Sequence, residues 1–114
     1  ECRFYVLCAF DRNDKYDDDF WKQDIIDTFE RIRILFQYRC FAYVMRYEKY
    51  RESPWYSMYV TLAAWCNQPS MCRHKTFSQF VSKRNKGAVK TAQLFAEKYP
   101  EIAKEYYNFA RDCF

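Results

Sequence analysis

The chain has 114 residues, a net charge of +4, six cysteines and a single glycine. That length suits one domain, and the near absence of glycine argues against a β-sandwich or barrel, whose many tight turns need it. No apolar run approaches the roughly 20 residues of a membrane span. We therefore expect one all-helical domain over residues 1–114, with no membrane-spanning segment.

Residues 2–10 are short and apolar, and their pattern fits a helix or a strand. We favour a short helix because nothing else in the sequence offers a strand partner. The acid-rich connection over 11–19 ends in an N-cap signal. An apolar stripe at three- and four-residue steps then predicts one long amphipathic helix from about 19 to 51. The stripe consists of Trp21, Ile25, Phe29, Ile32, Phe36, Cys40, Tyr43 and Tyr47.

The second half of the chain predicts shorter helices. Ser53 as N-cap and Pro54 as first helical residue begin a third helix, which ends near Asn67. A fourth helix runs from Thr76 to about residue 85 and closes with Gly87 as its C-terminal cap.

The last predicted segment, residues 88–113, is helical with a break at Pro100. The predicted fold is therefore a small disulfide-linked bundle of about five helices.

The six cysteines are an even set in a small chain, which is typical of disulfides in a secreted protein. Zinc or redox chemistry is less favoured because there is no C-x-x-C and His74 is the only histidine. The opening Glu1-Cys2 is what removal of a signal peptide would leave. We expect a secreted, extracellular protein with three disulfides and no cofactor or metal. The disulfide residues are Cys2, Cys8, Cys40, Cys66, Cys72 and Cys113.

The predicted hairpin of the second and third helices indicates one pairing. Cys40 and Cys66 each lie about 13 residues from the turn, or roughly 20 Å along antiparallel axes at 1.5 Å per residue. We therefore expect a Cys40–Cys66 bond, with the N-terminal cysteines bonded to Cys72 and Cys113. A local Cys66–Cys72 loop is the alternative.

Charge is distributed unevenly along the chain. Residues 1–30 hold nine acids and four bases, whereas residues 31–90 hold twelve bases and two acids. A basic cluster spans the fourth helix and its flanks, and it could bind an acidic protein face or a polyanion. Nucleic acid is not an expected partner of a secreted protein. The partner-binding candidates are Arg73, His74, Lys75, Lys83, Arg84, Lys86 and Lys90.

The sequence contains no arrangement typical of an enzyme. There is no glycine-rich phosphate loop and no nucleophile elbow, and one histidine leaves few candidates for nucleophilic catalysis. The segment from Asp11 begins like a calcium loop, but Lys15, Tyr16 and Lys22 occupy its fifth, sixth and twelfth positions. These observations predict a non-enzymatic protein that acts by binding.

In length, Glu1-Cys2 opening, helical pattern and basic balance, the whole chain resembles a family of small, basic salivary proteins of anopheline mosquitoes, the anophensin and albicin family. The resemblance is one of overall character and carries over no functional residue. It implies a secreted salivary inhibitor of host defence and haemostasis that binds plasma proteins. Albicin-like members block the alternative-pathway convertase of complement, and anophensin is associated with the kallikrein–kinin contact system.

Alternatives to convertase inhibition remain. One is inhibition of the contact system, and another is a cytokine-like or gamete-recognition protein. A third is a helical carrier of a small apolar ligand, although the C-x3-C step of odorant-binding proteins is absent. A large internal cavity would favour a carrier, whereas a packed core with exposed basic groups would favour a binder.

Overall fold

A computed structural model describes residues 2–114, in which two short strands flank the longest of six α-helices. The strands are β1 (Arg3–Cys8) and β2 (Phe41–Arg46). The helices are α1 (Asp18–Gln37), α2 (Tyr56–Cys66), α3 (Pro69–Cys72), α4 (Phe77–Val81), α5 (Lys86–Lys98) and α6 (Pro100–Tyr106). Short 3-10 turns occupy Glu48–Glu52 and Arg111–Cys113. None of the helices in this part of the chain has the length and apolarity to cross a bilayer.

Strands β1 and β2 pair in parallel, from Arg3 opposite Phe41 to Cys8 opposite Arg46, and α1 connects them. The short helix that the sequence predicted over residues 2–10 is therefore wrong. Its strand partner lies 38 positions downstream, inside the segment that was predicted to continue the long helix. A parallel pair needs such a crossover, so no local turn signal marks it.

Helix α1 ends at Gln37 in a Schellman motif. Arg39 has a left-handed backbone with φ of 63°. Its N–H donates to the carbonyl of Phe36 at 3.0 Å, and the N–H of Cys40 donates to the carbonyl of Leu35 at 2.9 Å. Glycine usually occupies such a position, because other residues pay a steric cost there. Because an arginine occupies this position, the sequence does not indicate that the helix ends here.

Contacts from the C-terminal segment hold this turn. Arg111 donates a hydrogen bond from Nη2 to the carbonyl of Arg39 at 2.7 Å, and Arg39 donates from Nη1 to the carbonyl of Phe114 at 3.0 Å. The Arg111 guanidinium also lies 4.2 Å from the centre of the Phe41 ring. The helix predicted over about 19–51 therefore ends at residue 37, because contacts distant in sequence stabilise a turn and a strand instead.

Some predicted helix boundaries are confirmed. Asp17 caps α1 by accepting the N–H of Phe20 at 2.8 Å, as the acidic connection indicated. Helix α2 ends at Cys66 as predicted, but it begins at Tyr56. Ser53 instead closes the preceding turn, where its Oγ accepts a backbone N–H at 3.0 Å.

The predicted fourth helix is shorter than expected. Thr76 and Gln79 form a capping box that begins α4, yet this helix ends after only five residues. Gly87 was predicted as its C-terminal cap, and that prediction is wrong. Gly87 lies in the first turn of α5, which Asn85 caps by accepting the N–H of Ala88 at 2.9 Å. The break at Pro100 is confirmed, since α6 begins there.

Aromatic rings form the centre of the core. The ring centroid of Trp65 lies 5.7 Å from those of Phe36, Phe77 and Phe109, which joins α1, α2, α4 and the C-terminal segment. The Trp65 indole N–H donates to a backbone carbonyl at 2.9 Å, so the buried ring leaves no polar group unpaired. Each fully buried aromatic of this size contributes about 1.5–3 kcal/mol.

All six cysteines are free thiols in this structure, so the predicted framework of three disulfides is not confirmed. The helical hairpin on which the Cys40–Cys66 prediction depended does not form, so that geometric argument is wrong. Cys40 instead lies near Cys2 at the start of the strands, where the N–H of Phe41 donates to the carbonyl of Cys2 at 2.8 Å. Cys66 lies among buried neighbours that include Cys72 and Cys8.

Candidate functional site

Three of the predicted basic residues converge on one groove. Lys75, Lys83 and Arg84 line an open depression of about 280 Å³. The remaining lining comes from Ala64, Gln68, Met71 and Phe80. We call this surface the basic groove. It combines cationic walls with an apolar floor, a composition that suits contact with an acidic protein surface.

The short length of α4 places two of these cations. The N–H of Lys83 donates to the carbonyl of Phe80 at 3.2 Å, and that of Arg84 donates to the carbonyl of Val81 at 3.0 Å. These bonds fold the chain tightly after α4. The Arg84 guanidinium consequently lies 5.4 Å from the centre of the Phe80 ring.

Arg84 also brings an unpaired donor to the basic groove. Its Nε is buried and has no hydrogen-bond partner among the residues that the structure describes. A buried donor without a partner is energetically unfavourable, by about 1–3 kcal/mol.

Lys75 is fixed at its backbone and free at its side chain. The carbonyl of Lys75 accepts the indole N–H of Trp65 at 2.9 Å, and its own N–H donates to the carbonyl of Met71 at 3.3 Å. The side chain is exposed. The core thus determines where the Lys75 ammonium group can reach.

The other predicted basic residues lie elsewhere. Arg73 is half-buried against the Phe41 ring, 5.6 Å from its centre, and His74 Nδ1 lies 3.3 Å from a carboxylate oxygen of Asp112. The Arg73 carbonyl also accepts the N–H of Asp112 at 3.0 Å, so both residues belong to the contact with the C-terminal segment. Lys86 and Lys90 are exposed on α5 and are not among the residues that line the groove.

A second cavity, of about 350 Å³, lies between the end of β1 and helix α1 and was not predicted. On its wall, Asp24 Oδ2 accepts hydrogen bonds from the Ala9 N–H and the Tyr59 hydroxyl, each at 2.7 Å. Burial raises the pKa of Asp24, and these two hydrogen bonds partly offset the rise. The full lining is Leu7, Phe10, Phe20, Gln23, Asp24, Asp27 and Arg31.

The Asp24 cluster has a structural role. Ala9 adopts a left-handed backbone with φ of 63°, and its bond to Asp24 stabilises that conformation. Burial raises the pKa of the adjacent Cys8 thiol to about 12, and burial also raises the pKa of Tyr59. The thiol and the phenol therefore keep their protons near neutral pH, and the arrangement provides no activated nucleophile.

The segment from Asp11 that begins like a calcium loop is occupied by internal hydrogen bonds. Asp11 Oδ2 accepts the N–H of Lys15 at 2.9 Å, and the Asp11 N–H donates to the Tyr16 hydroxyl at 2.9 Å. Over residues 2–114, no group of histidine, cysteine, aspartate or glutamate side chains is arranged to hold a metal ion.

No protein family, curated protein or solved structure matches the chain.

Proposed function

We propose that this chain is a non-enzymatic binding protein whose basic groove binds an acidic surface on a plasma protein complex and blocks the activity of that complex. The observation that carries the proposal is the convergence of Lys75, Lys83 and Arg84 around an apolar floor. Cations that surround a buried aromatic ring are a common composition of binding hot spots.

The charge distribution supports binding that is steered by electrostatics. Residues 31–90 carry twelve of the nineteen basic side chains and only two acids. Such an excess raises the rate of association with an acidic partner and leaves the dissociation rate less affected. Because salt screens charges beyond about 8 Å at physiological ionic strength, the association rate should fall as salt is added.

The proposed target is the alternative-pathway convertase of complement, with the contact system as the alternative. The support for this choice is the resemblance to salivary inhibitors of host defence. Secretion is part of the same proposal, and its support is the even set of six cysteines. The proposal of a salivary origin also rests on the resemblance to salivary inhibitors.

Transport of a small apolar ligand is the weaker function. The rings of Phe36, Trp65 and Phe109 fill the centre of the core at centroid distances of 5.7–5.9 Å. The cavities at the basic groove and at Asp24 are open at the surface and have charged linings. A carrier of an apolar ligand would need an enclosed apolar cavity.

A charge-reversal experiment tests the proposal. Changing Lys75, Lys83 and Arg84 to Glu should slow association with immobilised convertase at least tenfold and weaken inhibition of complement lysis to a similar extent. The matched control changes three exposed lysines outside the groove to Glu, with the same change in net charge, and should alter association less than about threefold. These lysines are Lys86, Lys90 and Lys104.

Two results would count against the proposal in different ways. Equal losses in both triple variants would show that net charge acts and the groove does not. If the wild-type chain bound neither the convertase nor contact-system factors, the assigned targets would be wrong. Circular dichroism of both variants should match wild type, because the five substituted lysines are exposed and Arg84 is only half-buried.

A further inference from the structure

The outer edge of β1 has no strand beside it. The carbonyl of Cys2 accepts the N–H of Phe41 at 2.8 Å, and the carbonyl of Cys8 accepts that of Tyr47 at 3.0 Å. In a parallel ladder, alternate residues bond to the partner strand and the residues between them direct their N–H and C=O groups to the other side. The residues of β1 that direct these groups outward are Arg3, Tyr5 and Leu7.

The outer edge of β2 differs, because a side chain covers it. Asn67 Oδ1 accepts the N–H of Val44 at 2.7 Å, and Asn67 Nδ2 donates to the carbonyl of the same residue at 3.2 Å. The amide thus takes the place of a neighbouring strand at that position. No comparable side-chain bond reaches the outward groups of β1 from within residues 2–114.

Apolar surface lies on both sides of the open β1 edge. On the outer sheet face, Tyr5 is 75% exposed and Leu7 45% exposed, and Tyr43 and Met45 of β2 extend the same face. Parallel sheets are normally covered on both faces, so this exposure is unusual. An added strand could cover the face with every second side chain.

The other side of the edge is a groove of about 230 Å³ between β1 and α1. Its apolar walls include Phe4, which is 52% exposed, and Ile34, which is 43% exposed. The remaining side chains of an added strand would enter this groove. The full lining is Phe4, Tyr5, Val6, Arg31, Ile34 and Leu35.

Charge indicates what kind of strand fits. Arg31 is the only charged residue that lines the groove, and Arg3 is the only charged residue within β1. Across residues 2–114, no carboxylate lies within salt-bridge distance of either guanidinium. A second copy of this chain would bring the same two arginines to the edge, whereas a strand that carries a carboxylate would neutralise them.

We propose that the β1 edge is a strand-addition site for an extended segment of a partner protein. That segment has alternating apolar residues and a carboxylate that pairs with Arg31. Its backbone bonds to the outward groups of Arg3, Tyr5 and Leu7, its apolar side chains cover the outer face, and the carboxylate on the alternate side enters the groove. This site is separate from the basic groove and does not depend on the function proposed for it.

The test uses wild-type protein and end-blocked seven-residue peptides with the repeat Val-Glu. Binding should slow amide hydrogen exchange at Arg3, Tyr5 and Leu7 by at least tenfold at saturation, because those N–H groups gain acceptors. Exchange at Phe4 and Val6 should change little, because their N–H groups already bond to β2. A Val-Lys peptide and a Val-Glu peptide with alternate N-methyl groups should bind at least tenfold more weakly.

A charge-swap variant adds an independent measurement. Arg31→Glu should weaken the Val-Glu peptide at least tenfold and strengthen the Val-Lys peptide. Lys22→Glu, on the same helix but outside the groove, should change either affinity less than twofold. Equal binding of the two peptides, or binding that leaves the three outward amides unprotected, would overturn the proposal. Protection of these amides without peptide, growing with protein concentration, would assign the edge to self-association and also overturn it.

Discussion

The two ends of helix α1 differ in what determines them. The first end depends on Asp17, whose side chain caps a backbone N–H three residues away at 2.8 Å. The last end depends on Arg39, a left-handed residue bonded to groups 72 and 75 positions downstream. Adjacent residues thus define one boundary, whereas the tertiary fold defines the other. Substitutions at the two ends should therefore differ in how much they lower the free energy of unfolding and in how far along the chain their effects extend.

The largest expected effect is at the last end, where Cys40 follows the Arg39 turn and the next residue, Phe41, donates its N–H to the carbonyl of Cys2 at 2.8 Å. Mild oxidation should form a Cys2–Cys40 disulfide and raise the free energy of unfolding by about 3–4 kcal/mol, because it closes a loop of about 39 residues. Non-reducing peptide mapping identifies the bond, and unfolding with and without reductant measures the gain. Cys2→Ser should abolish both. Recovery of Cys40 linked to Cys66 would contradict this prediction.

Arg111→Leu should destabilise the same end of α1, because it removes contacts that come from the C-terminal segment. The change removes the 2.7 Å hydrogen bond to the Arg39 carbonyl and the guanidinium 4.2 Å from the Phe41 ring centre. The free energy of unfolding should fall by about 2–3 kcal/mol, since the Arg39 carbonyl loses a part-buried hydrogen bond to a charged donor and a desolvated cation–π contact is lost. Denaturant unfolding measures it. Lys104→Leu, at an exposed position on α6, is the control and should stay within about 0.5 kcal/mol.

The same contrast explains how much of the fold could be predicted. The start of α1, the end of α2 and the break at Pro100 follow from caps and proline, which act on neighbouring residues. The pairing of β1 and β2 could not be predicted, because nothing local distinguishes Cys40, Tyr43 and Tyr47 from a continuing helical stripe.

The cations of the basic groove could be predicted from the sequence, but the shape of the groove could not. Lys75, Lys83 and Arg84 belong to the basic cluster that is visible in the sequence. The floor of the groove depends on how α2, α3 and α4 pack, which brings Ala64 next to Phe80. His74 lies away from the groove, with its Nδ1 3.3 Å from a carboxylate oxygen of Asp112.

Asp17→Ala should have a smaller and more local effect at the first end of α1. Loss of the cap should cost about 1 kcal/mol, because the N–H of Phe20 loses its acceptor. Hydrogen exchange should accelerate in the first turn of α1 and stay unchanged at Cys40. Asp18→Ala, which removes a first-turn charge but no capping bond, should cost about 0.5 kcal/mol or less. An equal loss in both variants would assign the effect to charge alone.

The smallest effect concerns Asp24, between the two ends. Burial raises its pKa above 3.8. At pH values between 3.8 and the raised pKa, Asp24 is therefore protonated in the folded state and ionised in the unfolded state. This contribution to stability is complete below pH 3.8 and is lost as the pH rises through the raised pKa. Asp24→Asn keeps an acceptor oxygen for Ala9 and Tyr59 but cannot ionise. It should therefore flatten the slope of the free energy of unfolding against pH in this range.

Measuring the free energy of unfolding across this pH range tests whether Asp24 is the group responsible. Asp19→Asn is the control, since that side chain is exposed on the same helix and is not among the charges that shift the pKa of Asp24, so the pH dependence should remain. A slope unchanged by Asp24→Asn would show that another group is responsible.

The Arg39 turn also has a consequence for the order of folding. Its stabilising bonds join residues that are 72 and 75 positions apart, so a nascent chain that has exposed only residues 2–47 cannot form them. Contacts of such long range form slowly, since a large loop must close first. During synthesis, the early segment can therefore extend α1 beyond residue 37 along its continuous apolar stripe. The native turn gains its bonds to Arg111 and Phe114 only after those residues have been synthesised.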